Sequence, residues 1–565
     1  MIRIYNTLTK TKEEFKPVEP GKVSIYLCGP TVYKPSHIGH MVGPVIFDAI
    51  KRYLTYSGYE VTFVINITDV DDKLIAESHS RNMPMAAIAE EMTADYLRNL
   101  DAMGVKESVN AFPKVSDHIG NIIDFIQVLI DKGFAYESDG DVYFDVGNYS
   151  KNNTAEYGKL SHRSLDQMTG EGGDVALPSY GSGGSTAARK HSPYDFALWK
   201  AAKSADDPCW DSPWGKGRPG WHIECSVMSR ELLGETFDIH GGGLDLVFPH
   251  HENEVAQSEA RHGKPMCNFW MHNGLMQASS EVGKLGGRKT ETKAGMERSA
   301  MTERDVVPSP HPNPLPAEEG TDLASQELGK ISKSKGSNAF SDMLKQVAPE
   351  TIRFFLLSTH YRRPIDFSME RIEEVAKGLE TFYRFFKRFE KITRKSFYTL
   401  KFPTCRESGD AIELTKGILP QVIDYRTKFL ESMDDDFNTG GAIGILFDLL
   451  RVLNKYIDDN KLETAPLEDV IVTLILGVMV LRELCLTLGL FREPPTVSAE
   501  SGDSELVGKL MTLLIELRAS ARQNKDFATA DKIRKDLADF GITLEDRPGG
   551  TEWEMTSQAK VQGAG

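Results

Sequence analysis

Cysteine is scarce in this sequence: six residues in 565, scattered from Cys28 to Cys485. That is too few and too spread for a disulfide framework, which excludes the small stapled secreted domains and leaves thiols or metal ligands. Long apolar runs are missing too. The longest, Val470-Ile-Val-Thr-Leu-Ile-Leu-Gly-Val-Met-Val-Leu481, stops at Arg482-Glu483, whereas a bilayer span needs about 20 residues. It predicts a buried helix, and no membrane is expected as a partner. Positive charge is in deficit as well. Lys and Arg number 66 against 82 Asp and Glu, for a net charge of −16. This excludes a chain coated in basic residues for unspecific nucleic-acid binding, though not a local basic face. Met1-Ile-Arg-Ile-Tyr-Asn6 lacks the apolar core of a signal peptide, so a cytoplasmic location is expected. There is no internal repeat.

What remains is an ordinary globular composition, 40% hydrophobic and 26% charged, in a chain long enough for three or four domains. Residues 21–28 predict a buried strand turning at Gly29-Pro30. A helix is expected from about His37 to Ser57, N-capped by Ser36 and stopped by Gly58. Glu60-Val-Thr-Phe-Val-Ile-Asn66 is the next strand. Strand, helix, strand is a βαβ unit and implies a parallel sheet, with ligands at the strands' carboxyl ends. Further helices are expected at about 84–103 and 116–132, and a strand at Val142–Val146. Residues 168–190 are rich in Gly and Ser. About 277–329 holds Pro308-Ser-Pro-His-Pro-Asn-Pro-Leu-Pro316 and few aliphatic side chains, the composition of a mobile surface loop. From about 366 the periodicity is helical, as in Ala442-Ile-Gly-Ile-Leu-Phe-Asp-Leu-Leu450.

The fold class expected is therefore α/β. A Rossmann-type parallel-sheet catalytic domain (1–275) is split by a connective insertion at about 115–215. The long insertion follows (276–329), then a lysine-loop region (330–365). An α-helical bundle (366–500) and a small C-terminal domain (501–565) complete the chain.

Several residue sets carry chemistry. His37 and His40 are spaced i, i+3 at a helix start, where partial positive charge and open N–H groups suit phosphate. Gly39 between them allows close approach of a base or backbone. Two imidazoles there can hold charge that builds on a phosphorus under attack, although a bare His-x-x-His is also a common structural pair. Lys330, Lys333 and Lys335 lie in a Ser- and Gly-containing loop able to neutralise a departing pyrophosphate. Cys225, His250 and Glu254, with Cys28 more distant, are donors that suit zinc. His251 competes with His250 for the ligand role. His240-Gly-Gly-Gly-Leu-Asp245 reads as a glycine loop after a strand, with Asp245 accepting from a ribose hydroxyl. A lone glycine triplet also serves as a plain turn.

Taken together, these segments resemble the cysteinyl-tRNA synthetases, a family of class I aminoacyl-tRNA synthetases. The resemblance rests on Cys28-Gly-Pro-Thr-Val-Tyr33, His37-Ile-Gly-His40, Asn66-Ile-Thr-Asp-Val-Asp-Asp-Lys73, Gly220-Trp-His-Ile-Glu-Cys225, Phe248-Pro-His-His-Glu-Asn-Glu254 and Lys330-Ile-Ser-Lys-Ser334. Met433-Asp-Asp-Asp-Phe-Asn-Thr439 and Leu544-Glu-Asp-Arg-Pro-Gly-Gly-Thr551 add to it. The resemblance implies activation of L-cysteine by ATP with Mg²⁺, then transfer to the 3′ end of tRNA(Cys), by a monomer. It implies that His37, His40, Lys330 and Lys333 are catalytic. Thr31, Gly39, His40, Gly241, Asp245 and Lys333 would hold ATP. Cys28, Gly29, Thr68 and Trp221 would hold the amino acid. One Zn²⁺ per chain would be ligated by Cys28, Cys225, His250 and Glu254. Zinc has a physical reason there. Cysteine and serine are nearly isosteric, and a thiolate binds zinc far better than a hydroxyl. The resemblance assigns anticodon binding to residues 501–565, where Asp546, Arg547 and Trp553 offer hydrogen-bonding and stacking groups to unstacked bases. A turn-rich terminus would carry the same residues.

Three departures stand out. Ile331 takes the place of a methionine, the 277–329 stretch is far longer than the expected link, and 168–190 is extended. Two other readings are compatible with the motifs. One is a ligase of the same ancestry that joins cysteine to an amino sugar, which needs no residues beyond about 366. The other is a non-catalytic RNA-binding relative, against which His37, His40 and Lys333 speak.

Overall fold

A computed structural model describes residues 1–152, 157–164, 190–204, 207–278, 339–410, 416–465, 467–495, 502–540, 542–547 and 550–555. Most of the Gly/Ser-rich stretch and the whole of 279–338, with Lys330, Lys333 and Lys335, lie outside these residues. The chain forms two units, Met1–Arg492 and Glu493–Gly565.

The first unit is built on four parallel strands: β1 (Lys22–Leu27), β2 (Glu60–Ile65), β3 (Phe237–Gly243) and β4 (Cys267–Asn273). Their order is β4-β3-β1-β2. Most of their residues are buried, as in a parallel sheet covered on both faces, and β1 and β2 are mostly apolar. Val23, Ile25, Tyr26 and Leu27 of β1 are all buried. Helix α1 (Gly39–Tyr56) connects β1 to β2 and buries Met41, Val42, Val45, Ile46, Ala49 and Ile50. The chain leaves β1 toward β2 and returns on its other side as β3. The order therefore reverses between β1 and β3, and a crevice opens beyond their carboxyl ends.

Two expectations change here. Ser36 does not cap α1, which starts at Gly39 after Ile38 with no side-chain cap. The Ser36 N–H donates to Asp95 Oδ2 at 2.9 Å, and its carbonyl accepts from Phe340 N–H at 2.7 Å. The glycine triplet is strand rather than loop, since β3 runs through Gly241, Gly242 and Gly243. The reason is packing. A Cβ on Gly241 would lie 2.2 Å from the Phe47 ring of α1, so glycine lets the helix close onto the sheet.

Between β2 and β3 stands a four-stranded antiparallel sheet, Ala135–Ser138, Asp141–Phe144, Phe196–Ala201 and Gly217–Pro219 in that order. It leads into α2 (Trp221–Leu233), and α3 (Glu252–His262) separates β3 from β4. Past the undescribed stretch, Ile365–Phe367 pairs in parallel with Met276–Ala278. Helices Met369–Thr393, Leu419–Asp434, Thr439–Asp459 and Glu468–Thr487 then form a bundle around Phe382, Phe389, Phe429, Leu446, Leu453 and Leu481. The last helix is long and apolar enough to cross a membrane by composition, yet Val478, Leu481, Leu484 and Cys485 are fully buried in this core. Its buried Arg482 donates to Phe397 O at 2.9 Å, and its buried Glu483 accepts from Arg426 at 3.0 Å. Charges satisfied by protein partners belong to a core helix. Bundle and sheet share one apolar cluster, crossed by a buried ion pair from Arg353 to Asp48 of α1.

The second unit holds helices Gly502–Gln523 and Phe527–Asp539 and the hairpin Ile542–Arg547/Gly550–Met555. Its core is Met511, Leu537 and Leu544, with Trp553 packed against it. Asp546 is engaged inside the unit, accepting from Arg518 Nη1 and Nη2, both at 2.8 Å, and from Thr551 Oγ1 at 2.8 Å. Those bonds account for its carboxyl lying well below the usual range.

Candidate metal and nucleotide site

Cys28 follows β1 directly, Cys225 lies in the second turn of α2, His250 and His251 end the helical turn just before α3, and Glu254 lies in the first turn of α3. Three segments of the chain thus deliver donors to one point. The ligand atoms of Cys28, His250, His251 and Glu254 all lie within 4.8 Å of one another. Cys28 Sγ is 3.6 Å from Cys225 Sγ, 3.7 Å from Glu254 Oε1 and 3.3 Å from His251 Nε2. His250 Nε2 is 3.0 Å from Glu254 Oε1. Both histidines that competed for the ligand role are therefore within reach of the cluster.

The surroundings test whether a cation fits. Glu254 is fully buried and its Oε2 makes no hydrogen bond among the described residues, although His240 Nε2 lies 3.4 Å away. Burial, then the Cys225 thiol, push the Glu254 carboxyl well above its ordinary range. Burial pushes the Cys28 thiol up as well, helped by Cys225 and Glu254. Burial and the neighbouring His222 and His240 hold His250 well below the usual imidazole value. Burial thus disfavours the charged forms of Cys28, His250 and Glu254, and a divalent ion reverses that preference for thiol and carboxylate. Two thiols, imidazole and carboxylate are a donor set that fits zinc.

The far nitrogens of both histidines are held. His250 Nδ1 faces His222 Nδ1 at 3.0 Å. His251 Nδ1 faces His272 Nε2 at 2.7 Å, and His272 Nδ1 faces Thr7 Oγ1 at 2.8 Å. Such outer partners fix ring orientation and tautomer around a metal. The Trp221 ring stacks on His250, centroids 4.1 Å apart and planes 18° apart. His222, His240 and His272 were not singled out from the sequence. The signal available was polar side chains inside apolar strands: His240 and His272 are buried in β3 and β4.

At the same end of β1, the His37 and His40 rings lie 3.8 Å apart. Gly39 N–H donates to His37 Nδ1 and His37 N–H to His40 Nδ1, each at 3.1 Å. With both Nδ1 atoms accepting, the proton of each neutral ring sits on Nε2, giving two donors at the N-terminus of α1. Gly29 N–H donates to Asn66 Oδ1 at 2.8 Å, and a Cβ on Gly29 would lie 1.7 Å from Asn66 O. Thr31 and Thr68 form a parallel bridge beside it. Asp245 is exposed in the turn after β3. Gly241 lies inside β3, where its carbonyl accepts from Cys28 N–H at 3.0 Å. Lys330 and Lys333 are outside the described residues, and the described chain resumes at Ala339, next to the Phe340 anchor on Ser36.

Comparison with known proteins gives the family and the fold. Residues 14–285 match the model of the class I (C) tRNA synthetase catalytic domain. Residues 428–492 match the DALR domain, and 512–553 the cysteinyl-tRNA ligase anticodon binding domain. The chain is 40% identical over 568 residues to a cysteine–tRNA ligase of Geobacter metallireducens, covering 98% of this chain and 99% of that one. It is 40% identical over 560 residues to the cysteine–tRNA ligase of Geobacillus thermodenitrificans, with the same coverage. The fold is similar to that of Mycobacterium tuberculosis methionyl-tRNA synthetase bound by methionyl-adenylate. That likeness has a TM-score of 0.55 at 13% identity, over 83% of this chain and 91% of the other.

Proposed function

Because the chain belongs to the cysteine–tRNA ligase family of class I synthetases, we propose that it charges tRNA(Cys) with L-cysteine in two steps. A cysteine carboxylate oxygen attacks the α-phosphorus of ATP, and the bond to the β-phosphate oxygen breaks to release pyrophosphate. A ribose hydroxyl at the tRNA 3′ end then takes the cysteinyl group, and AMP leaves. What carries this reading is the convergence of thiol, imidazole and carboxylate donors on the β1–β3 crevice, beside His37 and His40, in a chain with these relatives.

Cys28, Cys225, His250 and Glu254 are the residues that would hold zinc, one ion per chain. A zinc ion there would supply a soft Lewis acid with a strong preference for a thiolate over a hydroxyl. The chain's own groups do the rest. Trp221, stacked on His250, walls the amino-acid side, and Gly29 and Thr68 line the floor between β1 and β2. His37 and His40 offer Nε2–H donors to the oxygens of the α-phosphate where charge develops, at the positive end of α1. Thr31, Gly39 and Asp245 border the nucleotide, while Gly241 acts by letting α1 close on β3. Lys330 and Lys333 would neutralise the departing pyrophosphate, which ATP brings with Mg²⁺. The C-terminal unit reads the anticodon, and the protein works as a cytoplasmic monomer.

The test is pyrophosphate exchange with each of the twenty amino acids, followed by transfer to tRNA. Exchange with cysteine alone and charging of tRNA are expected. Equal activation of serine would overturn the selectivity, and exchange without transfer to tRNA would point to an amino-sugar ligase instead.

A further inference from the structure

Glu224 lies in the first turn of α2, one residue before Cys225, and is 1% exposed. Among the described residues its carboxylate accepts one hydrogen bond, from Thr68 Oγ1 at 3.1 Å. That bond ends a directional chain. Gly29 N–H donates to Asn66 Oδ1 at 2.8 Å, Asn66 Nδ2 donates to Thr68 Oγ1 at 3.4 Å, and Thr68 donates to Glu224 Oε2. A hydroxyl has one proton and two acceptor positions. With its proton given to Glu224 and one acceptor position facing Asn66, Thr68 presents its remaining capacity as an acceptor only.

Both ends of this chain abut the thiol pair. Gly29 follows Cys28 and Glu224 precedes Cys225, whose Sγ atoms are 3.6 Å apart. A cysteine whose sulfur lies among these donors carries its α-ammonium three bonds away, and an ammonium only donates. The neighbouring acids are committed elsewhere. Asp69 accepts from Ser116 N–H at 3.0 Å and Ser116 Oγ at 2.5 Å, and Asp71 accepts from Lys73 N–H at 2.8 Å. The nearby cations are committed as well, since Lys200 and Arg218 both pair with Asp72, at 2.8 and 2.6 Å. Glu224 is thus a buried carboxyl whose hydrogen bond among the described residues comes from a neutral hydroxyl, a costly arrangement for a charge that a bound cation relieves.

We propose that Glu224 is a positioning residue of the amino-acid site. It orients the Thr68 hydroxyl as an acceptor for the substrate's α-ammonium and supplies the counter-charge behind it. This rests on the reading of the crevice as a cysteine site.

The experiment uses the full-length, zinc-loaded protein and compares cysteine with 3-mercaptopropionate, which keeps thiol and carboxylate but lacks the ammonium. In Glu224→Gln the KM for cysteine in pyrophosphate exchange should rise about tenfold to a hundredfold, the range for losing a hydrogen bond to a charged group. The KM for ATP, the zinc content and the inhibition constant of 3-mercaptopropionate should stay close to wild type. Thr68→Val should show the same selective loss, and Thr68→Ser, which keeps the hydroxyl, should not. The Glu224→Gln/Thr68→Val double variant should be no worse than the worse single variant, because the two residues act as one unit. Equal weakening of cysteine and 3-mercaptopropionate would overturn the proposal in favour of a purely structural role. An unchanged KM for cysteine would overturn it too. A wild-type protein with no cysteine-dependent exchange would instead sink the reading of the crevice itself, a result visible before any variant is made.

Discussion

His250 and His251 differ in what a substitution should remove. Both rings are held by an outer histidine, but His250 Nε2 lies 3.0 Å from Glu254 Oε1 and its ring carries Trp221, whereas His251 Nε2 lies 3.9 Å from that oxygen. His250→Asn is therefore expected to lower zinc affinity more than His251→Asn, which should cost about 10- to 100-fold as an outer-partner change does. Metal titration of the two apoproteins checks the order. A different residue sets part of the acid response. Burial pushes His262 down to about 4 from 6.5, with Glu235 only partly opposing and Arg261 reinforcing. The folded state thus prefers the neutral ring, while the unfolded chain takes up the proton first. This contribution is whole above about pH 6.5 and is lost as pH falls toward about 4, with a slope of at most about 1.4 kcal/mol per pH unit. Urea unfolding of His262→Gln should show a shallower acid limb over that window, and an unchanged slope would contradict the assignment. At this scale Cys225, His250 and Glu254 stood out in the sequence as a donor set, Cys28 joined them through the family resemblance, and the structure brings their side chains together. His222, His240 and His272 did not stand out, since a histidine in a helix or a strand looks the same in one dimension whether it fills space or orients a ligand.

Elements were read mostly from period and punctuation. The helix starting near His37 was legible from its apolar spacing, but its first residue depended on where Ser36 found its partners, Asp95 and Phe340, both remote in sequence. Glycine misled at His240-Gly-Gly-Gly243, because punctuation by glycine and clearance for a neighbouring ring look identical in one dimension. Only the packing of Phe47 on Gly241 separates them. Both flanks of 279–338 are fixed by described contacts. Met276–Ala278 pairs with Ile365–Phe367, and Phe340 bonds to Ser36. Deleting most of 283–325 while keeping Lys330 and Lys333 should therefore preserve cysteine-dependent exchange, because the entropy of closing a loop changes slowly with its length. A deletion protein that folds, by its thermal transition, yet activates no cysteine would show that the insertion contributes to the site.

On the scale of the whole molecule, the βαβ unit announced a parallel sheet, and the sheet's order decided the site. The sequence separates Cys28 from Cys225 and Glu254, and nothing in the spacing says that β3 lies beside β1. That adjacency, with the order reversing between them, brings two thiols, imidazoles and a carboxylate to the crevice. The same unit carries the bundle on a shared core, so catalytic crevice and bundle fold as one body. The central claim is that a metal in this crevice distinguishes sulfur from oxygen. The electronic spectrum of the cobalt(II)-loaded protein tests it most directly. Adding cysteine should strengthen the sulfur-to-cobalt charge-transfer bands beyond those of Cys28 and Cys225, while serine leaves the spectrum unchanged. Identical spectra with the two amino acids, under conditions where cysteine is being activated, would contradict the account.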